Sequence, residues 1–185
     1  MDQQAAKKNR LTLLALLLVF LVPFLSAYWL YLHPGSIDLG TTNNGEFVQP
    51  ARLLDATGVD LPKDYLTSHK WTLVYLGGAQ CDADCEKALL IMRQTRLALG
   101  EKFDLVQRLY LVDGKPGSRA PEMGLAVADV SQAPVLLKQF DDPAKAARCI
   151  YLVDPRGYLM MRYSLSDDPK GLLKDMRHLL GGGEG

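Results

Sequence analysis

Two cysteines four residues apart, in Cys81-Asp82-Ala83-Asp84-Cys85, are the residues of this chain whose types and spacing can do chemistry. On a helix, residues at that spacing lie one turn apart on the same face. That brings their Cα atoms to about 6 Å, within the reach of a disulfide. A helix start presents free N–H groups and a partial positive charge, which favour thiolate over thiol. A thiolate there can attack a disulfide, be oxidised to one, or bind a soft cation. Asp82 and Asp84 flank the site. Their blandest role is to accept orphan N–H groups at the helix start. As negative charges they also disfavour a neighbouring thiolate, while leaving a cation such as Cu(I) unopposed. A purely structural disulfide is the alternative for the pair as a whole.

The third cysteine, Cys149, opens a separate apolar run. Its bland reading is a small buried strand residue; its sharper one is a third thiolate ligand or a resolving thiol. Arg148 beside it reads as a solvated side chain. The histidines are poorly placed as ligands. His69 precedes the first central strand, whose roughly seven residues at ~3.3 Å each carry it about 23 Å from the cysteines. His33 follows the first apolar run, and His178 falls in the last turn of the final helix, where it suits the dipole.

The elements that must position the pair are legible from Trp71 onward. Thr72 to Leu76 is a near-continuous apolar strand, the mark of a strand covered on both faces. Gly77 to Gln80 is a loop, and Cys81 opens a helix to about Leu99, with Gly100 as its stop. Cys85, Leu89, Met92 and Leu99 share roughly one face of it. Leu105 to Val112 is a second strand, broken by Asp113-Gly114-Lys115-Pro116-Gly117. A further helix is expected between Ser131 and Phe140. Cys149–Val153 and Tyr158–Tyr163 are strands joined by the tight turn Asp154-Pro155-Arg156-Gly157. Asp168 to Leu180 closes the chain as a helix. Upstream, Phe47 and Val48 form a short strand before Pro50, and residues 51–68 are mixed turn and loop. The order β-α-β-α-β-β-α predicts an α/β, thioredoxin-like fold, a central mixed sheet with flanking helices. In it the third strand runs antiparallel to the first, so Cys149 is expected near the end of the first strand.

Residues 11–32 carry no charged side chain and follow Lys7, Lys8 and Arg10. A helix over them is about 33 Å long at ~1.5 Å per residue, enough for a hydrocarbon core of ~30 Å. The basic flank favours keeping the N-terminus in the cytoplasm, and Tyr28, Trp29 and Tyr31 stand where an interfacial aromatic belt belongs. A cleaved signal peptide is the competing reading; Leu25-Ser26-Ala27 only half resembles a cleavage site, and the run continues past it. The expected organisation is a cytoplasmic segment (1–10), a transmembrane helix (11–32), a linker and extension (33–65), a thioredoxin-like domain (66–180) and a flexible tail (181–185). A single-pass protein of the bacterial inner membrane follows, with its C-terminal domain in the periplasm, where disulfides can form. Zero formal net charge, with no clustered excess of Lys and Arg, excludes a nucleic-acid surface.

Lys70-Trp71-x-Leu73-x-Tyr75-x-Gly77-x-x-x-Cys81-x-x-x-Cys85, followed by Tyr151-Leu152-Val153-Asp154-Pro155-x-Gly157, resembles the Sco/SenC family and its shorter uncharacterised relatives. Those are membrane-anchored, thioredoxin-like proteins that help to assemble the copper centre of cytochrome c oxidase. The resemblance covers roughly residues 70–163 and the anchor. It implies that Cys81 and Cys85 are the family's paired thiols, able to bind copper or reduce a partner disulfide. The implied partner is a respiratory oxidase subunit or another assembly factor. Two departures stand out. The family places Pro after each cysteine, where this chain has Asp82 and Glu86. The family's third copper ligand is a His whose position falls near Ala146, with Ala147 and Arg148 beside it.

The expected function is therefore oxidase assembly through thiol–disulfide exchange at Cys81 and Cys85, an oxidoreductase chemistry in which Cys81 attacks. The alternatives are a Cu(I) chaperone using the same cysteines, with Cys149 as a weaker third ligand, and a non-catalytic interaction module. A thiol peroxidase lacks its usual Thr-x-x-Cys setting, since Gly78 stands three residues before Cys81.

Overall fold

The computed structural model describes residues 2–32, 43–62, 65–115 and 122–181. His33 and the rest of the expected linker to residue 42, Pro116 and Gly117 of the expected turn, and the tail 182–185 lie outside the described residues. The chain divides into two units, Met1–Thr42 and Asn43–Gly185.

The first unit contains α1 (Asp2–Leu32), one continuous helix with Pro23 inside it. Its described apolar side chains, among them Leu13, Phe20, Phe24 and Trp29, are exposed. Among the described residues no helix is long and apolar enough to cross a membrane. The side chains at positions 11, 14, 30 and 31 fall outside the described set, so the charge-free run bears on anchoring through the sequence alone.

The second unit is built on a six-stranded sheet of β1 (Glu46–Leu53), β2 (Trp71–Gly78), β3 (Val106–Asp113), β4 (Leu125–Asp129), β5 (Cys149–Val153) and β6 (Tyr158–Ser164). Their spatial order is β1-β6-β5-β2-β3-β4. β2, β3 and β4 run parallel, while β5 pairs antiparallel with β2, and β6 with β5 and β1. Helices α2 (Ala83–Ala98) and α5 (Pro169–Gly181) cover one face of this sheet; the short turns α3 (Pro134–Leu137) and α4 (Pro143–Ala146) contribute to the other. This is the mixed, helix-flanked sheet expected of a thioredoxin-like fold.

Alternation sorts the side chains into two core layers. Leu73 and Tyr75 of β2 join Leu89 and Met92 of α2, and Leu172 and Met176 of α5. Val74 and Leu76 point the other way, to Leu136, Phe140 and Tyr151. β2 is thus buried on both faces, as its unbroken apolar run predicts. The β5–β6 hairpin turns where expected. Asp154 Oδ1 accepts the N–H groups of Arg156 (2.9 Å) and Tyr158 (2.8 Å), and Gly157 supplies the φ of +93°.

Three sequence expectations are corrected. The helix over residues 131–140 is a single turn, Pro134–Leu137. The chain leaves it at Gln139, whose side chain bonds the Leu53 carbonyl (3.0 Å) and the Asp55 N–H (2.9 Å). β4 was not anticipated, because only Ala128 of its five residues is buried and the run carries little alternation. The sheet also takes in β1, which runs from Glu46 to Leu53 where the sequence predicts only a short strand before Pro50.

The segment leading into β1 is latched to α5. Asp175, only 6% exposed, accepts hydrogen bonds from the Asn44 N–H (2.7 Å), the Asn44 side-chain amide (2.6 Å), the Gly45 N–H (3.0 Å) and the Tyr163 hydroxyl (3.1 Å). Asp175→Ala strands these donors, each worth about 1 kcal/mol or more when left unpaired. The variant is expected to lose roughly 3 kcal/mol in urea denaturation, with Met160→Leu, a volume-conserving change, costing less than ~1.5 kcal/mol.

Candidate functional site

β2 emerges from the sheet at Gly77 and Gly78, paired in parallel with Val112 and Asp113 of β3. Gly77 lies so close to two tyrosine rings that a side chain there would force a ring to shift. A Cβ there would stand 2.9 Å from Cε1 of Tyr75 and 3.2 Å from Cε2 of Tyr110. The loop then runs through Ala79 and Gln80 to Cys81, and Asp82 caps α2. Its Oδ1 accepts the Cys85 N–H at 2.9 Å, while its carbonyl accepts the Glu86 N–H at 2.9 Å. The helix therefore starts at Ala83 and not at Cys81, because an aspartate in extended conformation satisfies an orphan N–H that a cysteine cannot.

Cys81 and Cys85 are joined in a disulfide, with Cα atoms 5.2 Å apart. The two sulfurs differ in surroundings. Cys85 is 2% exposed and packs among Tyr75, Ala88, Leu89 and Met92, whereas Cys81 is half-buried at the edge of that layer. A partner can approach Cys81; Cys85 is shielded by the helix that carries it. Asp82 and Asp84 are both exposed.

Two tyrosines underlie the loop, and sequence reasoning missed their role. Tyr75 and Tyr110 are register neighbours on β2 and β3, with ring centroids 5.8 Å apart. The Tyr110 hydroxyl donates to the Gly78 carbonyl at 2.9 Å, and the Tyr75 hydroxyl donates to the Ala147 carbonyl at 2.9 Å. Burial pushes the Tyr75 phenol well up from its ordinary value; Asp82, Tyr110 and Asp84 add to the shift, so it serves as a neutral donor. The available signal was the facing of two aromatics on adjacent strands, which needs the register to be known.

Cys149 is not brought to the pair. It is buried in the second core layer with Tyr151 and Val153, whereas Cys81 and Cys85 belong to the first. The strand end lies where expected, since Ile150 pairs with Tyr75, but the side chain points to the opposite face. Burial also pushes its thiol up, which disfavours thiolate and hence ligation. Its third-ligand reading is set aside.

The residues present do not fit a three-ligand copper site. Ala146, at the position of the family's His, is fully buried in the second layer. Among the described residues no group of three or more His, Cys, Asp or Glu side chains could hold a metal ion. His69 and His178 are exposed, on the turn before β2 and near the end of α5. What the donor set offers among the described residues is two soft sulfurs without a third metal ligand.

A family model described as transmembrane-like, thioredoxin-like, C-terminal domain matches residues 71–181. No curated protein matches the chain. Among solved structures, apo Sco1 from Thermus thermophilus is similar with a TM-score of 0.56 at 16% identity, over 76% of this chain and 99% of that one. Yeast Sco1 with copper bound is similar with a TM-score of 0.50 at 16% identity, over 60% and 78%. Another structure of yeast Sco1 has a TM-score of 0.51 at 16% identity, over 61% and 81%. These likenesses are of fold, and they agree with the Sco/SenC-like motif of the sequence.

The cap is testable by itself. Asp82→Ala is expected to cost about 1 kcal/mol and Asp82→Asn only a few tenths, because Asn retains the capping oxygen. Urea denaturation of the oxidised chain measures both.

Proposed function

The chain belongs to the family described as transmembrane-like, thioredoxin-like, C-terminal domain, and from that premise we propose that it acts in cytochrome c oxidase assembly by thiol–disulfide exchange at Cys81 and Cys85. The observation that carries this reading is the asymmetry of the pair: one reachable sulfur, and one buried sulfur at bonding distance behind it. That is the arrangement an attacking and a resolving thiol require.

The cycle starts from the dithiol. The Cys81 thiolate attacks a sulfur of the partner's disulfide, forming a Cys81–partner bond and releasing one partner thiolate, which takes up a proton. Cys85 then loses its proton and attacks the Cys81 sulfur. The Cys81–Cys85 disulfide forms and the second partner thiol leaves. Two electrons and two protons have passed to the partner, and an external dithiol reductant restores the starting state. The exposed acidic pair Asp82 and Asp84 works against a strongly activated thiolate, which suits a reductant of a selected partner more than an indiscriminate one.

We place the chain in the bacterial inner membrane, with its domain on the periplasmic side. Support comes from the charge-free run Leu11–Leu32, its basic N-terminal flank, and apolar side chains that stay exposed on α1. The partner class is a respiratory oxidase subunit or another assembly factor, as the Sco/SenC-like motif implies.

Cys85→Ser is expected to accumulate a mixed disulfide between Cys81 and the partner in membranes, resolved by reductant on a non-reducing gel. Cys81→Ser should accumulate none. A pair that resists reductant in the native membrane, or a Cys81/Cys85 double variant that still supports oxidase assembly, would sink the exchange reading and leave a structural disulfide.

One observation favours a second reading, in which Cu(I) is cargo. The similar yeast Sco1 was solved with copper bound, and two thiolates suffice for a linear Cu(I) site. Titration of the reduced chain with Cu(I) against a competing chelator decides it. Binding lost in Cys81→Ser supports delivery, and no binding in either form ends it.

A further inference from the structure

The loop that carries Cys81 is held at both ends, and only one of its holds comes from the helix. At its C-terminal end the Asp82 carboxylate accepts the Cys85 N–H, tying the loop to the first turn of α2. At its N-terminal end Gly78, the last residue of β2, pairs with Asp113 of β3, and its carbonyl accepts the Tyr110 hydroxyl, a second link to β3 at the point where the strand ends. Between Gly78 and Cys81 stand only Ala79 and Gln80. The Tyr75 and Tyr110 rings close in on Gly77, so that a Cβ there would stand 2.9 Å from Tyr75 Cε1 and force a ring to shift. Gly114, on the far side, would meet Ala79 at 3.2 Å if it carried a Cβ. Cys85 needs no tether of its own, since the core layer buries it.

We propose that Tyr110 is a positioning residue for the thiol pair: its hydroxyl keeps the Cys81 loop within closing distance of Cys85 after the disulfide opens, and so sets the redox potential of the pair. The inference rests on the exchange reading above. In the disulfide form a covalent bond fixes Cys81. In the dithiol form the tyrosine tether remains, so little conformational freedom is regained on reduction and little is lost on closure. Removing the hydroxyl frees the dithiol form selectively. The equilibrium then shifts towards dithiol, and attack of Cys85 on a Cys81 mixed disulfide slows.

The test is equilibration of the full chain with glutathione, in which the Cys81–Cys85 disulfide and two thiols exchange for the dithiol and one glutathione disulfide. Tyr110→Phe keeps the ring against Gly77 and deletes only the donor. It is expected to lower the constant for disulfide formation about five- to tenfold, a rise in potential of roughly 20–30 mV for this two-electron couple. The mixed disulfide of Cys81 with glutathione should persist longer by a similar factor. Ala79→Gly loosens the same exposed loop without touching Tyr110 and should shift both readouts in the same direction. Tyr65→Phe is the control. Its hydroxyl bonds the Arg108 carbonyl at 3.0 Å, opposite Leu73 and far along β2 from Gly78, and it should leave both readouts unchanged.

A change of less than twofold in Tyr110→Phe, with native circular dichroism, overturns the tether. So does an equal shift in Tyr65→Phe, since the effect would then be general loosening. Failure of the wild-type chain to exchange with glutathione at all brings down the exchange reading itself, and this inference with it. A wild type that exchanges beside a Tyr110→Phe that matches it removes the tether alone.

Discussion

β2 is buried on both faces and hydrogen-bonded on both edges, in parallel to β3 from Trp71 to Gly78 and antiparallel to β5 from Thr72 to Tyr75. A strand so enclosed has no freedom to slip, because a shift of one residue would exchange Leu73 and Tyr75 for Val74 and Leu76 between two filled layers. The cysteine pair depends on that immobility. Cys81 stands three residues beyond the strand, and its loop inherits the position of Gly78. The helix that follows is fixed in turn by the layer into which Cys85, Leu89 and Met92 pack. Strand and helix thus converge on the two sulfurs from independent anchors.

The chemistry follows from what these anchors expose. One sulfur is buried and the other half-buried, and that asymmetry is what supports the proposed order of attack at Cys81 and resolution by Cys85. The surroundings are polar and acidic at the surface, with a neutral phenol beneath. No histidine or third thiol reaches the pair among the described residues. Among the described residues the donor set is two sulfurs with no third ligand, whereas a reversible disulfide needs only the two sulfurs, a disulfide to accept their electrons and a reductant to return them.

Much of this is legible in the amino-acid sequence. The apolar run of β2 and the Asp-Pro-Arg-Gly turn between β5 and β6 are signals that act over a few residues. The helix face bearing Cys85, Leu89 and Met92 could be read from spacing alone. The misses share a cause. β4 exists because β3 offers it a parallel edge, not because Leu-Ala-Val-Ala-Asp has strong alternation of its own. The helix expected over residues 131–140 stops early because Gln139 docks on the loop after β1, a contact more than eighty residues away in the chain.

By itself the amino-acid sequence determined that two thiols stand one turn apart at a strand-to-helix junction, with two aspartates beside them suited to a helix start; that Asp82 is the cap and Ala83 the first helical residue came from the structure. It also determined the charge-free N-terminal run and its basic flank. Those are local facts, set by residue type, spacing and intrinsic propensity. The tertiary structure alone decided which thiol is accessible, that Cys149 faces away from the pair, and that the Tyr110 hydroxyl reaches Gly78. Each of these depends on register between strands distant in sequence. Register is settled by the packing of both core layers at once, a sum over the whole domain that no short stretch of residues contains.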